Sequence, residues 1–199
     1  AATMNRGSNM PALGTYNQTL VLDMIRRSAS GLSRIELAEQ TGLSAQTLSN
    51  VARRLSEAGL IKEGGRVVAG PGKPRTLLRL NQQARFAVGV HLDPSVDTFV
   101  VVDLAGEIVA HVERMPDGKS TADEHVAALA REVDALLTLA GVPLDRVLGV
   151  GAAVPGPIDD ATGMLLTPPL LSPSWHHVLL RDMLAHDTGL GVVVEKDVV

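Results

Sequence analysis

Amide, hydroxyl and guanidinium side chains cluster in the segment from residue 44 to residue 54. Gln46, Asn50 and Arg53 are spaced so that a helix would place them on one face. Asn and Gln amides can pair with the edge of adenine, and Arg can bind guanine or a phosphate. This pattern therefore predicts a helix that reads base edges in the major groove of DNA. The residues expected to contact DNA from it are Ser44, Gln46, Thr47, Ser49, Asn50, Arg53 and Arg54.

The residues around this segment predict a helix-turn-helix. Ser33 and Glu36 have the spacing of a capping box, which starts a first helix. Gly42 can adopt the positive φ that ends that helix, and Ser44 can cap the second one. The second helix also has an apolar face for packing, formed by Ala45, Leu48, Val51, Ala52 and Leu55. A helix-turn-helix places its second helix in the major groove.

A β-hairpin is predicted to follow the two helices and to form the wing of a winged helix. Residues 60–63 are strand-like, Gly64 and Gly65 suit a turn, and residues 76–80 return as a second strand. Cations in a Gly- and Pro-rich hairpin can approach phosphates or enter the minor groove. These cations are Arg66, Lys73 and Arg75. The alternative is a solvated basic hairpin that makes no contact with DNA.

The charges of the chain are divided between its two halves. Residues 1–85 hold 12 Lys or Arg against 5 Asp or Glu, a net charge of +7. Residues 86–199 hold 6 against 17, a net charge of −11, and the whole chain has −4. A basic half supplies the sequence-independent attraction to phosphates, and an acidic half is repelled by DNA. This asymmetry predicts a DNA-binding domain joined to a domain with a different role.

The remaining composition narrows the class of protein. The chain has 199 residues, of which 45% are hydrophobic and 2% aromatic, so one or two aliphatic cores are expected. Cys is absent, which excludes disulfides and Cys-ligated metals. No apolar run approaches the roughly 20 residues that span a bilayer, and the first residues lack a signal-peptide core. We therefore expect a cytoplasmic protein with no membrane partner.

The second half of the chain has the order of strands and helices that is typical of an α/β domain. Strands are predicted over residues 86–92, 98–104, 107–112, 147–154 and 191–195, and helices over residues 121–140 and 175–188. The stiff loop from Pro155 to Asp159 follows a buried strand, at the end where α/β sheets bind ligands. His176 and His177 are interpreted as a surface pair in preference to a metal site. Asp159 and Asp160 are interpreted as a solvated loop in preference to a catalytic pair.

The order of these motifs resembles one protein family. The run from Gly149 to Asp159, which contains Val-Pro-Gly-Pro, and the closing Glu195-Lys196-Asp197 are similar to the repressor, open reading frame and kinase (ROK) family. The winged helix in front is similar to the family's repressor branch. The resemblance implies an α/β fold with an actin-like (ribonuclease H-like) lobe. The implied parts are a disordered arm over residues 1–13, a winged helix-turn-helix over residues 14–81, and an incomplete first lobe over residues 82–199.

The resemblance also implies a sugar site at the end of this lobe. Its residues here would be Pro155, Gly156, Glu195, Lys196 and Asp197. In the family's kinases the residue that matches Asp197 is the base that acts on the sugar, and an Asn stands in the place of Lys196. The family's zinc-binding Cys cluster lies further along than residue 199. No cofactor is therefore expected within these residues, and zinc is expected only together with such a cluster.

One turn departs from the pattern of the family's kinases. They carry an Asp-x-Gly-Gly-Thr turn whose backbone cradles the phosphates of ATP. The matching residues here are His91, Leu92, Asp93, Pro94 and Ser95. Pro94 has no amide donor, and the Asp93 carboxylate repels phosphate. We therefore expect no kinase activity and no catalytic residue.

Together these features predict a sequence-specific DNA-binding transcriptional regulator, a repressor, whose ROK domain senses a sugar or sugar phosphate. The expected partners are a duplex DNA operator, a small-molecule effector, and further copies of the chain in a homodimer or higher homo-oligomer. The last expectation arises because a lone winged helix reads few bases. The alternative is a ROK-type sugar kinase with an accessory DNA-binding head.

Overall fold

The computed structural model describes residues 10–67 and 74–197, with the backbone alone over residues 10–13. The chain divides after Ala84 into two compact units. This division lies three residues beyond the domain boundary expected after residue 81. The chain directly before this division is ordered as a 3-10 turn over Gln82–Ala84. The Asn81 side chain holds its start by donating to the Gly59 carbonyl at 2.9 Å.

The described residues of the first unit form a winged helix. Its elements are α1 (Met10–Arg27), β1 (Leu32–Ser33), α2 (Arg34–Thr41), α3 (Ala45–Glu57), β2 (Ile61–Val67) and β3 (Arg75–Leu80). β3 lies between β1 and β2 and pairs antiparallel with both. The predicted helix-turn-helix and its wing are confirmed.

The local signals for the helix starts and the turn operate as predicted. The Ser33 hydroxyl accepts from the Glu36 amide, and the Glu36 carboxylate accepts from the Ser33 amide at 2.8 Å, which completes the capping box. Gly42 ends α2 with a φ of 70°. Ser44 caps α3 by accepting from the Thr47 amide at 3.2 Å. These bonds satisfy backbone amides that a helix start leaves without partners.

The core of the first unit is aliphatic and joins all three helices to the sheet. Its buried side chains are Val21, Ile25, Leu37, Leu48, Val51, Ala52, Leu55, Ile61 and Leu78. Ala45 was predicted on the buried face of α3 but is exposed. It is the first residue of the helix, one turn away from Leu48, where the packing against α1 and α2 begins.

Two further predictions in this unit were wrong. α1 begins at Met10, so residues 10–13 belong to a helix and not to a disordered arm; Pro11 in the first turn costs no hydrogen bond there. The turn expected at Gly64-Gly65 is a β-bulge within β2. Between the paired positions Glu63 and Arg66, β2 has one residue more than β3 has between their partners. Gly65 accommodates this extra residue with a φ of 79°.

The second unit is built on a five-stranded mixed sheet within its described residues. Its elements are β4 (Phe86–His91), β5 (Asp97–Asp103), β6 (Ile108–Arg114), α4 (Ala122–Leu139), β7 (Val147–Val154), β8 (Ile158–Asp159), β9 (Met164–Leu165), α5 (Leu180–Thr188) and β10 (Val192–Lys196). The strand order is β10-β7-β4-β5-β6. The first three of these are parallel, and the last three form the antiparallel meander. β8 and β9 form a separate short hairpin.

The inner face of this sheet packs against α4 and α5. The buried side chains of the parallel strands on this face include Val88, Val90, Val150, Ala152, Val154 and Val194. The helix predicted from residue 175 begins only at Leu180. His177 has a φ of 57° and Val178 forms a β-bridge with Leu165, so this stretch cannot be helical.

Candidate nucleic-acid interface and ligand site

The outer face of α3 carries the predicted base-reading side chains. Gln46, Ser49 and Asn50 are exposed, while Leu48 and Val51 on the opposite face are buried. No hydrogen bond to these three polar side chains is found in the part of the chain that the structure describes. Their donors and acceptors are therefore available to a ligand such as a base edge. Contact with DNA stays a prediction for each of them.

Ser44 and Thr47 are engaged within α3. The Ser44 hydroxyl accepts from the Thr47 amide and donates to the Thr47 hydroxyl at 2.9 Å. A side chain that caps a helix start is not free to reach a base without breaking that cap. The structure therefore favours a phosphate contact at this helix start over a base contact for these two residues.

The two arginines of α3 have different neighbours. Arg53 donates to Glu57 at 2.9 Å along the exposed side of the helix. Arg54 lies beside α1, where a Cβ added to Gly14 would be 3.5 Å from the guanidinium group. Arg54 also lines a groove of about 400 Å³ between α1 and α3, together with Asn17 and Asn50. α1 thus forms one wall beside the recognition helix.

The wing presents two of the three predicted cations. Arg66 and Arg75 are exposed on β2 and β3, and they are placed one residue apart by the pairing of Arg66 with Thr76 and of Val67 with Arg75. Lys73 lies outside the described residues. Paired residues share a face of the hairpin, so Arg66 lies on the face of Thr76 and Arg75 on the opposite face with Val67. Each guanidinium group can attract phosphates on its own side. The DNA contact of the wing stays a prediction.

The wing is fixed to the helices by charged and backbone contacts. Arg34 on α2 donates to Glu63 on β2 at 2.8 Å. Arg79 on β3 donates to the Ser30 carbonyl at 3.0 Å and passes over Gly31. A rigid connection of this kind sets the distance between the wing and α3, which binding of two DNA features at once requires.

The capping box also stabilises the negative charge of Glu36, which lies near Arg75 of the wing. The amide and then the hydroxyl of Ser33 donate to the Glu36 carboxylate and hold its pKa below the ordinary value of 4.5. The nearby charge of Arg75 lowers it further. Glu36 therefore remains ionised and partly neutralises Arg75. Of the two described wing cations, we expect Arg66 to contribute more to the attraction of phosphates.

The turn between β4 and β5 is built around a carboxylate. Oδ1 of Asp93 accepts from the Ser95 amide at 2.8 Å and from the Val96 amide at 3.4 Å. Pro94 has no amide to offer. The backbone donors that a phosphate would need are thus occupied by Asp93 or absent at Pro94. The geometry does not fit a nucleotide phosphate at this turn.

Two strand ends of the parallel sheet meet at its carboxyl edge. β4 ends at His91 and β10 leads into Asp197, on either side of β7. Nε2 of His91 lies 3.1 Å from Oδ2 of Asp197. Sequence reasoning had singled out Asp197 and had treated His91 only as a departure from the kinase pattern. The 106 residues between them gave no local signal of the pair.

The other predicted ligand residues are divided between two faces of the sheet. Side chains alternate along a strand, so Glu195 and Asp197 share the outer face, and Lys196 lies on the inner face with Val194. The Lys196 side chain covers Gly156, where an added Cβ would be 2.8 Å from its Cδ. Pro155 is buried. The arrangement brings Glu195 and Asp197 together and separates Lys196 from them.

The matches to known families agree with both units. Residues 89–199 match the ROK family, and residues 15–66 match the MarR family. The first match covers more than half of the chain. The chain belongs to the ROK family. The resemblance inferred from its motif order is therefore confirmed.

Individual ROK relatives span both units. The xylose repressor of Bacillus subtilis is 26% identical over 184 residues, which cover 91% of this chain and 46% of that protein. A transcriptional regulator of Mycobacterium tuberculosis is 30% identical over 169 residues, which cover 84% of this chain and 37% of that protein. This chain thus spans less than half the length of these relatives.

A solved ROK structure shares the fold. The crystal structure of a ROK family transcriptional regulator, a homologue of the E. coli MLC protein, matches with a TM-score of 0.71 and 23% identity. The match covers 93% of this chain and 46% of that chain. The predicted fold class, a winged helix followed by an actin-like α/β lobe, is confirmed.

A buried polar cluster in the ROK unit was missed by sequence reasoning. Asp97 is fully buried, and its Oδ2 lies 2.6 Å from Nε2 of His125. The His125 ring contacts Trp175 edge to face, with centroids 5.2 Å apart. No hydrogen-bond partner is found for Oδ1 of Asp97 among the described residues. The cluster ties β5, α4 and the turn at Trp175 together, and its members are too far apart in sequence to form a motif.

In the described ranges, no group of three or more His, Asp or Glu side chains is placed to hold a metal ion. His176 and His177 lie in an extended turn and are exposed, so they do not share a helix as assumed from the sequence. No helix in the same ranges is long and apolar enough to cross a membrane.

Proposed function

We propose that this ROK protein is a sequence-specific DNA-binding transcriptional regulator, acting as a repressor, whose ROK unit binds a sugar. The observation that carries the proposal is the outer face of α3. Gln46, Ser49 and Asn50 are exposed and unbonded on a helix that is capped and packed on its other side. These side chains make no hydrogen bond among the described residues, and the surface they form suits a major groove.

The electrostatics of the two units support the same role. The first 85 residues carry a net charge of +7, and Arg66 and Arg75 extend the positive surface onto the wing. The names of relatives, xylose repressor and transcriptional regulator, suggest the same pairing of DNA and sugar binding. Because one winged helix reads few bases, the proposal includes a homodimer or higher homo-oligomer on an inverted repeat.

The proposal includes the absence of sugar phosphorylation. Phosphoryl transfer depends on positioning and on stabilisation of phosphate charge. The Asp93 carboxylate occupies the Ser95 and Val96 amides, and Pro94 adds none. Asp197 is hydrogen-bonded to His91, and its carboxylate could act as a base in phosphoryl transfer only where the protein holds a phosphate next to the sugar.

A binding experiment tests the DNA-reading role. A duplex site is selected from random DNA with the intact protein, and affinity is measured by fluorescence anisotropy at fixed salt. Asn50→Ala is expected to cost about 1–3 kcal/mol on the selected site and less on random DNA, because only base contacts depend on sequence. Gln40→Ala, an exposed amide on α2, serves as the control. Equal losses on both DNAs for Asn50→Ala would show that Asn50 does not read bases.

A second candidate function is a ROK sugar kinase with an accessory DNA-binding head. The retained carboxylate of Asp197 at the strand end favours it. The test incubates the protein with ATP, magnesium and a panel of pentoses, hexoses and amino sugars. Turnover within the usual kinase range of ~1–100 per second would establish the kinase. The expected result is no turnover, together with a sugar that changes operator affinity and loses this effect in Asp197→Ala.

A further inference from the structure

The contact between His91 and Asp197 has a specific geometry. The two strands that carry these residues are not neighbours, because β7 lies between them. The register places Ala153 of β7 beside His91 on one side and beside Glu195 on the other. With only a methyl group between them on this face, the imidazole and the carboxylate can meet across the strand. Their contact is 3.1 Å from Nε2 to Oδ2.

The backbone holds both partners in place. The Leu92 amide donates to the Ala153 carbonyl at 2.9 Å, directly after His91. The Asp197 amide donates to the Val154 carbonyl at 2.9 Å and extends the parallel ladder past β10. The two chain segments that carry these side chains are therefore anchored to adjacent residues of β7, Ala153 and Val154, and the separation of the side chains does not depend on a flexible loop.

The contact leaves part of each side chain unused. A neutral imidazole that donates through Nε2 has a lone pair on Nδ1, and the Asp197 carboxylate still has Oδ1. The described residues provide no hydrogen bond to either atom. The side chains of His91 and Asp197 are 42% and 21% exposed, so a ligand can reach them. In this tautomer each of the two side chains offers one acceptor, and hydroxyl groups are donors that suit both.

We propose that His91 is a positioning residue that orients Asp197, and that the pair accepts two neighbouring hydroxyl groups of a neutral sugar. This inference rests on the proposed function and names the ligand class for its sensor. Glu195 and Asp197 place two carboxylates on the outer face, and Lys196 is on the inner face. A phosphorylated sugar would meet the like charges of these two carboxylates at this surface.

Amide substitutions of His91 distinguish a role in positioning Asp197 from the mere presence of a polar side chain. In His91→Gln the amide nitrogen is separated from Cα by as many bonds as Nε2 is in His91. In His91→Asn the amide nitrogen is separated from Cα by as many bonds as Nδ1 is in His91. Binding of D-xylose and D-glucose to the intact protein is measured by calorimetry. His91→Asn and His91→Ala are expected to weaken binding at least tenfold, and His91→Gln should bind at least threefold more tightly than His91→Asn. His111→Ala, an exposed strand histidine on β6, should change binding less than twofold.

The charge of the ligand is tested in the same way. Glucose 6-phosphate should bind at least tenfold more weakly than glucose, and tighter binding of the phosphate would overturn the proposed ligand class. Equal affinities of wild type and His91→Ala for a sugar would overturn the positioning role of His91. Similar losses in His91→Gln and His91→Asn would do so as well.

A readout without sugar distinguishes this inference from the proposed function. With ¹³C-labelled aspartate, the carboxyl carbon resonance of Asp197 should move in His91→Ala, return toward its wild-type position in His91→Gln, and stay unchanged in His111→Ala. If the Asp197 resonance does not move in His91→Ala, the contact between His91 and Asp197 is overturned. If neither sugar binds the wild type, the sensor part of the proposed function fails for these sugars, and the Asp197 resonance still decides whether His91 orients it.

Discussion

Replacement of Gly31 by alanine should detach the wing from the helices of the first unit. Gly31 is buried between α1 and β1 and has a φ of 88°. A Cβ there would lie 2.7 Å from Cγ of Arg79 and 2.7 Å from the carbonyl oxygen of Leu78. Real Cβ atoms do not approach a backbone oxygen so closely, so β3 must shift. The shift would disturb the pairing of Leu32 with Leu78 and the bond from Arg79 to the Ser30 carbonyl.

The magnitude of this effect follows from three contributions. A positive φ costs a non-Gly residue about 1–2 kcal/mol. The lost hydrogen bond of Arg79 adds about 1 kcal/mol, and a displaced strand adds more. We therefore expect a loss of about 3 kcal/mol in the free energy of unfolding of the first unit. For a domain of this size, that lowers Tm by roughly 10–25 °C.

Calorimetry of the intact protein, with hydrogen exchange to assign the transition, measures the loss. Gly42→Ala is the matched control, since Gly42 lies in the same unit with a φ of 70° and has nothing within 4 Å of an added Cβ. It should show the conformational cost alone, about 1–2 kcal/mol. Equal decreases in Tm for Gly31→Ala and Gly42→Ala would refute the steric reasoning, and so would full protection of the amides of β3 in Gly31→Ala.

Three further outcomes are expected. Replacing Lys73 and Arg75 by alanine should flatten the slope of log affinity against log salt by about one to two units, and an unchanged slope would show that these two cations do not contact DNA. The Ser120 amide is the largest cause that lowers the pKa of Asp117 to about 2, below its ordinary 3.8. The stabilising contribution of Asp117 is therefore present above about pH 4 and lost as pH falls toward 2, so the Tm difference between wild type and Asp117→Asn should shrink over that window; a constant difference would contradict it. Thr121→Ala, which removes the cap of α4, should cost the second unit about 1 kcal/mol in urea unfolding, and no change in midpoint would show that the cap is dispensable.

Local signals in the sequence predicted the elements that carry the DNA-binding surface. Ser33, Gly42 and Ser44 act within one turn of their own positions, so their caps and turn could be recognised without a structure. The spacing of Leu48 and Val51 is set by helix geometry, which also fixed where Asn50 points. The bulge at Gly65 was harder to recognise, since two glycines suit a turn and a bulge equally.

The ligand site could be predicted only in part, because strand order brings distant residues together. Asp197 follows a strand and could be singled out, but its partner His91 depends on both strands pairing with β7. The same holds for Asp97 and His125, which lie on a strand and a helix with no shared periodicity. The face on which Lys196 lies became clear only from the register of β10.

The carboxylate at the centre of the β4–β5 turn also limits how this chain can change over generations. Replacing Asp93 with glycine removes the acceptor that orders the Ser95 amide, while Pro94 still lacks a donor. Replacing Pro94 with glycine adds a donor beside a carboxylate that repels anions. Neither step alone yields a surface that attracts phosphate, and the first one loosens the turn. A nucleotide-binding turn would therefore require both substitutions together, because each of them alone leaves one obstacle to a phosphate in place.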